Sequence, residues 1–305
     1  MVMPTQTLNL GPFSIGPGQP LTIIAGPCQA ESQDLCVSVG RAVHARCQEL
    51  GLNYIFKASY DKANRSSIHT DRGPGLDAGL SLLAKVRDAL GVPLTTDLHE
   101  PNQAKAVGEV ADLIQVPAFL CRQTDLLAAA AKTGKPVNVK KGQFMSPAEM
   151  KNVVTKLTEA GTDNAGRYSG GGTMLTERGT FFGYNRLVND FAGLYDMMQL
   201  GPPVCFDVTH STQQPGNAPG GQSTGGRPDT APTLARCAVA AGVHCLFIET
   251  HPDPTNAKSD GATMLPLDTA LSLLSELAVI HDAVSRVNVG QQPVTIMKNK
   301  GSCND

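Results

Sequence analysis

Lys57, Lys62 and Arg65 fall within one short stretch that also carries Asn64, Ser66 and Ser67 and a single acid, Asp61. That mixture suits a phosphate group, because lysine supplies a compact charge, arginine a planar fork of donors and serine short hydrogen bonds. A solvated basic turn has the same composition, since clustered charge is commonly wet surface. Further cations stand apart at Arg122, Lys140 and Arg178. Gathered by a fold, they suffice for two anionic groups or one polyanion; left apart, each serves a structural ion pair with Asp97, Glu177 or Asp207.

Cys28, His210, Glu249 and Asp260 make a second set. Thiolate, imidazole and two carboxylates are the ligands of a mixed divalent metal site. Their spacing alone does not separate that role from a packed cysteine after Gly26-Pro27 and a histidine capping a strand.

The chain has 305 residues, a formal net charge of -2 and 17% charged residues. No global basic field is available for nucleic acid or an anionic membrane, so any affinity for phosphate is local. Aromatic residues are 5% and tryptophan is absent, which leaves little to stack on bases. Apolar runs such as 126–131 fall far short of the roughly 20 residues that span a bilayer. Residues 1–20 lack the basic, apolar and small-residue sequence of a signal peptide, so a cytoplasmic location is expected. The eight cysteines are scattered without a CxxC pair, and most are expected to be reduced, buried small hydrophobes.

Positioning these residues falls to a repeated unit: a short apolar run, a polar or glycine-rich turn, then a longer amphipathic stretch. Strands are predicted over 21–25, 54–56, 93–96, 113–116, 136–139, 173–176, 204–208 and 245–248. Helices are predicted over 35–50, 76–90, 125–132, 147–160, 187–200, 231–241 and 267–287. Eight strands alternating with helices predict an α/β fold, a (β/α)8 TIM barrel, with a doubly wound sheet as the alternative. A short N-terminal β-hairpin over 1–20 is expected to cap the barrel at 21–287, followed by a tail at 288–305, all one domain. In a barrel the polar groups at the C-terminal strand ends converge on one face, where an active site is expected. Two loops interrupt the rhythm. The stretch 213–227 reads as a lid on that face, and 161–172 as an adornment on the opposite one.

Five segments in order resemble the 3-deoxy-D-manno-octulosonate 8-phosphate synthase family. They are Lys57-Ala58-Ser59-Tyr60-Asp61-Lys62-Ala63-Asn64-Arg65-Ser66-Ser67-Ile68-His69, Pro117-Ala118-Phe119-Leu120-Cys121-Arg122-Gln123-Thr124-Asp125, Asn138-Val139-Lys140-Lys141-Gly142-Gln143-Phe144, Thr176-Glu177-Arg178-Gly179 and Phe206-Asp207-Val208-Thr209-His210. The resemblance runs from about residue 23 to the last helix. It implies a tetrameric barrel that condenses phosphoenolpyruvate with D-arabinose 5-phosphate and water, releasing phosphate, for lipopolysaccharide synthesis. By the same resemblance, Lys62, Lys140 and Arg178 hold phosphoenolpyruvate, with Lys57 and Gln115 nearby. Asn64, Arg65 and Ser66 hold the pentose phosphate, Asp97 faces the sugar hydroxyls, Phe119 joins the substrate contacts, and Arg122 reaches a pentose phosphate site across a subunit boundary. Members without a metal carry asparagine after the Gly-Pro of the first strand, whereas this chain carries Cys28. With His210, Glu249 and Asp260 at the other ligand positions, a divalent ion is implied, and iron, zinc and manganese all remain open. His210 also relays a proton in this reading, and Asp260 shares the catalytic set.

The departures are Tyr60 where phenylalanine is common, a longer 161–172 segment, and Pro228 after Gly225-Gly226-Arg227. A related synthase that uses erythrose 4-phosphate carries Lys-Pro-Arg-Thr where this chain has Lys62-Ala63-Asn64-Arg65-Ser66, so Asn64 argues against the shorter sugar. A non-catalytic phosphosugar-binding barrel is the other alternative, and a metal-ready Cys28 disfavours it.

Overall fold

Alternation within the strands sorts side chains into two layers. Neighbouring residues point to opposite faces of a sheet, so each strand of a closed barrel divides into an inward and an outward set. The structure, a computed structural model, describes residues 6–64, 70–163, 171–183, 185–217 and 224–290, with side chains to 287.

The elements in chain order are β1 (Leu8–Asn9), β2 (Ser14–Ile15), β3 (Thr22–Gly26), α1 (Gln33–Leu50), β4 (Asn53–Lys57), α2 (Leu76–Leu90), β5 (Leu94–Asp97), α3 (Ala104–Val110), β6 (Leu113–Val116), α4 (Thr124–Ala131), β7 (Val137–Lys140) and α5 (Met150–Ala160). There follow β8 (Thr173–Glu177), β9 (Thr180–Phe181), β10 (Leu187–Val188), α6 (Phe191–Met198), β11 (Val204–Asp207), β12 (Gln213–Gln214), β13 (Gly225–Gly226), α7 (Ala231–Ala240), β14 (Cys245–His251), β15 (Leu265–Pro266) and α8 (Leu267–Gly290). Strands β3 to β8, β11 and β14 run parallel in sequence order, and pairing of β11 with β14 closes the sheet. The closed eight-stranded barrel inside its helices is the (β/α)8 fold. Among the described residues no helix is long and apolar enough to cross a membrane.

Outward residues such as Ile23, Phe56, Ile114, Val139, Leu175, Phe206 and Ile248 pack in one apolar cluster with the helices. A separate cluster fills the barrel: Ile24, Ile55, Leu113, Met174, Cys205, Cys245 and Phe247, joined by Leu8, Leu10 and Ile15 of the β1–β2 hairpin. The hairpin thus seals the N-terminal end of the barrel. Two residues further along the same strands, the inward series becomes polar: Lys57, Gln115, Thr176, Asp207 and Glu249, with Asp97 and Lys140 at the same level. Burial of so many ionisable groups is costly unless each is paired.

Strand positions expected from the sequence lie within a residue or two of those observed, except that β14 extends to His251 and therefore contains Glu249. The helix expected over 187–200 is a correction. Leu187–Val188 is instead strand β10, antiparallel to β9, and the helix begins only at Phe191. The apolar period of Leu187 and Phe191 matched a helix, but Leu187 is buried beneath Gly179, where the hairpin pairing wins. Helix α3, only 7 residues long with Gly108 inside it, was not anticipated; so short a stretch has little intrinsic helical signal.

Candidate active site

The polar ends of the strands open into a cavity of about 760 Å³ at the C-terminal face. Lys57, Lys62, Asn64, Asp97, Gln115, Phe119, Lys140, Arg178, His210, Glu249 and Asp260 all line it. Cys28 lies just beneath the lining, buried, with its Sγ 3.0 Å from Asp260 Oδ2 and 3.0 Å from Ser259 Oγ. Arg65 and Ser66 lie outside the described residues. Arg122 is not in this cavity: it is exposed and borders a separate cleft with Glu149, Asn152 and Lys156.

Backbone geometry at β3 brings the first of these residues into place. Gly26 passes so close to β4 that an added Cβ would sit 2.0 Å from the Lys57 carbonyl oxygen. The approach lets Cys28 follow immediately, and its carbonyl accepts from Lys57 Nζ at 3.2 Å. Lys57 also forms a short, fully buried ion pair with Glu249. On the next strand, Asp97 accepts from Gln115 Nε2 at 2.5 Å and from Ser59 Oγ, and Lys62 Nζ donates to the same Ser59 oxygen at 3.0 Å.

Across the barrel, Lys140 Nζ stands 2.6 Å from Asp207 Oδ2 and 3.5 Å from the centre of the Phe247 ring, a cation–π geometry. Arg178 donates through Nη2 to Gln213 Oε1 at 2.5 Å, while its Nη1 is buried with no hydrogen-bond partner among the described residues. Behind this pair, Lys141 and Glu177 form a buried ion pair at 3.6 Å, and Glu177 accepts from the Arg178 and Gly179 amides.

Charge is balanced tightly. Burial opposes ionisation of Asp97, but Lys57 and Lys62 outweigh it and hold the carboxyl well below the usual range. Burial likewise opposes ionisation of Glu249, and Lys57 and His210 outweigh it. Burial acts to neutralise Lys62, yet Cys28, Glu249, Asp260 and Asp97 raise its pKa. Burial pushes the Cys28 thiol up, with Asp260 and Glu249 adding to the shift. Burial pulls the Arg178 guanidinium down.

Cys28, Glu249 and Asp260 each present a ligand atom within 4.8 Å of one another. His210 is outside that tight group, but its Nε2 is 3.6 Å from Glu249 Oε2. Among the described residues the same Glu249 Oε2 is buried without a hydrogen-bond partner, an orphaned acceptor that a cation would satisfy. Asp260 adopts φ 49°, a left-handed conformation that aspartate tolerates better than most residues, and the Thr263 and Met264 amides donate to its carbonyl. The donor set and the orphaned oxygen fit a divalent metal.

Asp207, Ser59 and Phe247 were not among the expected site residues. Alternation along β11 and β14 could have found Asp207 and Phe247, because each lies an even number of residues from a barrel-interior position. Ser59 has no such signal, standing beyond the end of β4. The segment 213–227 begins and ends in the two-stranded β12–β13 ladder, and 218–223 between them lie outside the described residues, as do 164–170 of the other loop.

Residues 4–283 match the DAHP synthetase I family. The chain is similar to the 2-dehydro-3-deoxyphosphooctonate aldolase of Caulobacter vibrioides, at 48% identity over 93% of this chain and 96% of the relative. It is similar to the protein of that name from Cyanothece sp., at 50% identity over 90% of this chain and 96% of the relative. For Desulfotalea psychrophila the identity is 51%, over 88% and 93%.

Proposed function

The chain belongs to the DAHP synthetase I family, and from that premise we propose that it condenses phosphoenolpyruvate with D-arabinose 5-phosphate and water. The products are 3-deoxy-D-manno-octulosonate 8-phosphate and inorganic phosphate, and the reaction serves lipopolysaccharide precursor synthesis. One observation carries the reading: Lys62, Lys140 and Arg178 surround a single cavity, with Arg178 Nη1 buried and unpartnered among the described residues. A buried donor without a partner is expensive, and an anionic substrate relieves the cost.

In this reading Lys62, Lys140 and Arg178 hold the phosphate and carboxylate of phosphoenolpyruvate, with Gln115 beside them. Lys57 acts indirectly, because its ammonium is occupied by Glu249. Asn64, Arg65 and Ser66 take the pentose phosphate, Phe119 walls the cavity, and Asp97 accepts from the sugar hydroxyls. The methylene carbon of phosphoenolpyruvate attacks the aldehyde carbon; the aldehyde oxygen becomes an alkoxide that takes up a proton, water adds to the electron-poor enol carbon and loses a proton, and the bond from that carbon to the phosphate oxygen then breaks to release inorganic phosphate. Cationic donors fixed in a low-dielectric cavity stabilise the developing oxyanion. His210 and Asp260 border the same cavity and can hold or move a proton there.

Cys28, His210, Glu249 and Asp260 would hold a divalent ion, with iron, zinc or manganese compatible with that donor set. When bound, such an ion supplies Lewis-acid polarisation of an oxygen and a template for orienting it.

The active form is proposed to be a homotetramer in the cytoplasm. Phe119 and Phe144 are each 50% exposed beside the mouth, apolar surface that a second subunit would cover, and Arg122 would reach a neighbouring pentose phosphate site from there. Sedimentation analysis tests the assembly. A phosphate-release assay offering each aldose phosphate separately tests the reaction: turnover with arabinose 5-phosphate is expected, and turnover confined to erythrose 4-phosphate would overturn it.

A further inference from the structure

One side chain links the two halves of the mouth. Asp207 is fully buried at the inward end of β11. Its Oδ2 lies 2.6 Å from Lys140 Nζ and 2.9 Å from His210 Nδ1. Its Oδ1 accepts from the His210 backbone amide at 3.0 Å and lies 3.1 Å from the same Nδ1. Thr209 Oγ1, at 3.5 Å, completes the shell.

A carboxylate paired with an ammonium can only accept, so the imidazole proton facing it must sit on Nδ1. That leaves the lone pair on Nε2, which is 3.6 Å from Glu249 Oε2 in the Cys28, Glu249 and Asp260 group. On the other side Lys140 is bracketed between Asp207 and the face of Phe247, whose ring also stands 5.6 Å from the His210 ring. The ammonium and the imidazole therefore share one anchor, and neither can turn away without breaking a contact to it.

We propose that Asp207 is a positioning residue that fixes His210 as an Nε2 metal ligand and Lys140 as a phosphoenolpyruvate contact. The proposal rests on the functional reading above, but two of its three tests do not depend on turnover.

Asp207→Asn keeps the shape and halves the acceptors, leaving an amide that donates toward a donor. Zinc affinity, measured by competition with a chromophoric chelator, is expected to fall by about 10- to 100-fold, the usual effect of losing a partner behind a metal-bound histidine. Because Asp207 acts through His210, the Asp207→Asn, His210→Ala double variant should bind zinc within about twofold of His210→Ala alone. Wild-type affinity in Asp207→Asn, or an undiminished further loss in the double variant, would overturn the proposal.

The second test needs no variant, so it stands even if Asp207→Asn does not fold. Nitrogen-15 histidine spectra of the zinc-loaded wild-type protein should show His210 protonated at Nδ1 and ligated at Nε2. A proton on Nε2 or ligation through Nδ1 would overturn it.

The third is a split in Michaelis constants at saturating zinc. Asp207→Asn should raise KM for phosphoenolpyruvate by about tenfold, leaving KM for arabinose 5-phosphate within about twofold. An equal rise in both would mean general distortion and would overturn the positioning role. Wild-type protein inactive with this substrate pair would remove the functional reading instead, and the zinc and spectral results would still decide on Asp207.

Discussion

Lys57 and Lys62 arise from the same basic stretch and do different things. Lys57 is committed to Glu249 inside the barrel, whereas Lys62 meets the cavity and donates to the Ser59 hydroxyl. Replacing Lys57 by methionine leaves a buried glutamate unpaired and is expected to cost about 3–5 kcal/mol in denaturant unfolding of the metal-free protein. A loss under about 1 kcal/mol would show that water or another cation already compensates Glu249. Cys28→Asn should remove tight metal binding while leaving the fold intact, because among the described residues Sγ touches only Ser259 and Asp260 in hydrogen-bond range. Metal analysis after dialysis checks this, and retention of a full equivalent of metal would contradict it. The cations and the four candidate ligands were legible as residue types. What each one touches was left open: Asp207 was one of three candidate ion-pair partners, and its contact with Lys140 spans 67 residues with nothing local to mark it. Arg122, for which the resemblance implies a site across a subunit boundary, borders a separate cleft in its own chain.

At the scale of elements, the strands were legible because each is a short apolar run bounded by turn residues, and seven of the eight helices among the described residues had a usable period. Helix α3 and the start of α6 were missed where the local signal was weak or a tertiary pairing overrode it. Alternation inside the strands separates the helix-facing cluster from the interior and marks where the polar layer starts. Gly26 illustrates how closely β3 and β4 must meet. Gly26→Ala drives Cβ into the Lys57 carbonyl and should destabilise the fold by about 1–3 kcal/mol, lowering the melting temperature by several degrees. An unchanged melting temperature would mean that the strands can separate without loss. His244, in the turn before β14, accepts the Val204 amide through Nδ1, and burial pulls its pKa down to about 4. The unfolded chain takes up that proton near pH 6.5 and the folded one only near 4, so stability should fall as pH drops across that window. His244→Gln should flatten this part of the profile in urea melts at stepped pH; an identical slope would assign it to another group.

Across the whole molecule, one end of the barrel is sealed by an apolar hairpin and the other is a layer of paired charges around a cavity. The acid limit follows from that layer. Asp97 has a folded pKa held well below its unfolded value, so its contribution is present above about pH 4 and lost as the pH falls further, beyond the His244 window. The barrel and the convergence of eight strand ends could be read from pattern alone, whereas the choice of sugar rests on Asn64 and on similarity to named relatives. The most direct measurement is therefore phosphate release from phosphoenolpyruvate by the metal-loaded protein, with arabinose 5-phosphate and erythrose 4-phosphate supplied in separate reactions. Release is predicted with the pentose phosphate and at most a trace with the tetrose; release with the tetrose alone would contradict the assignment.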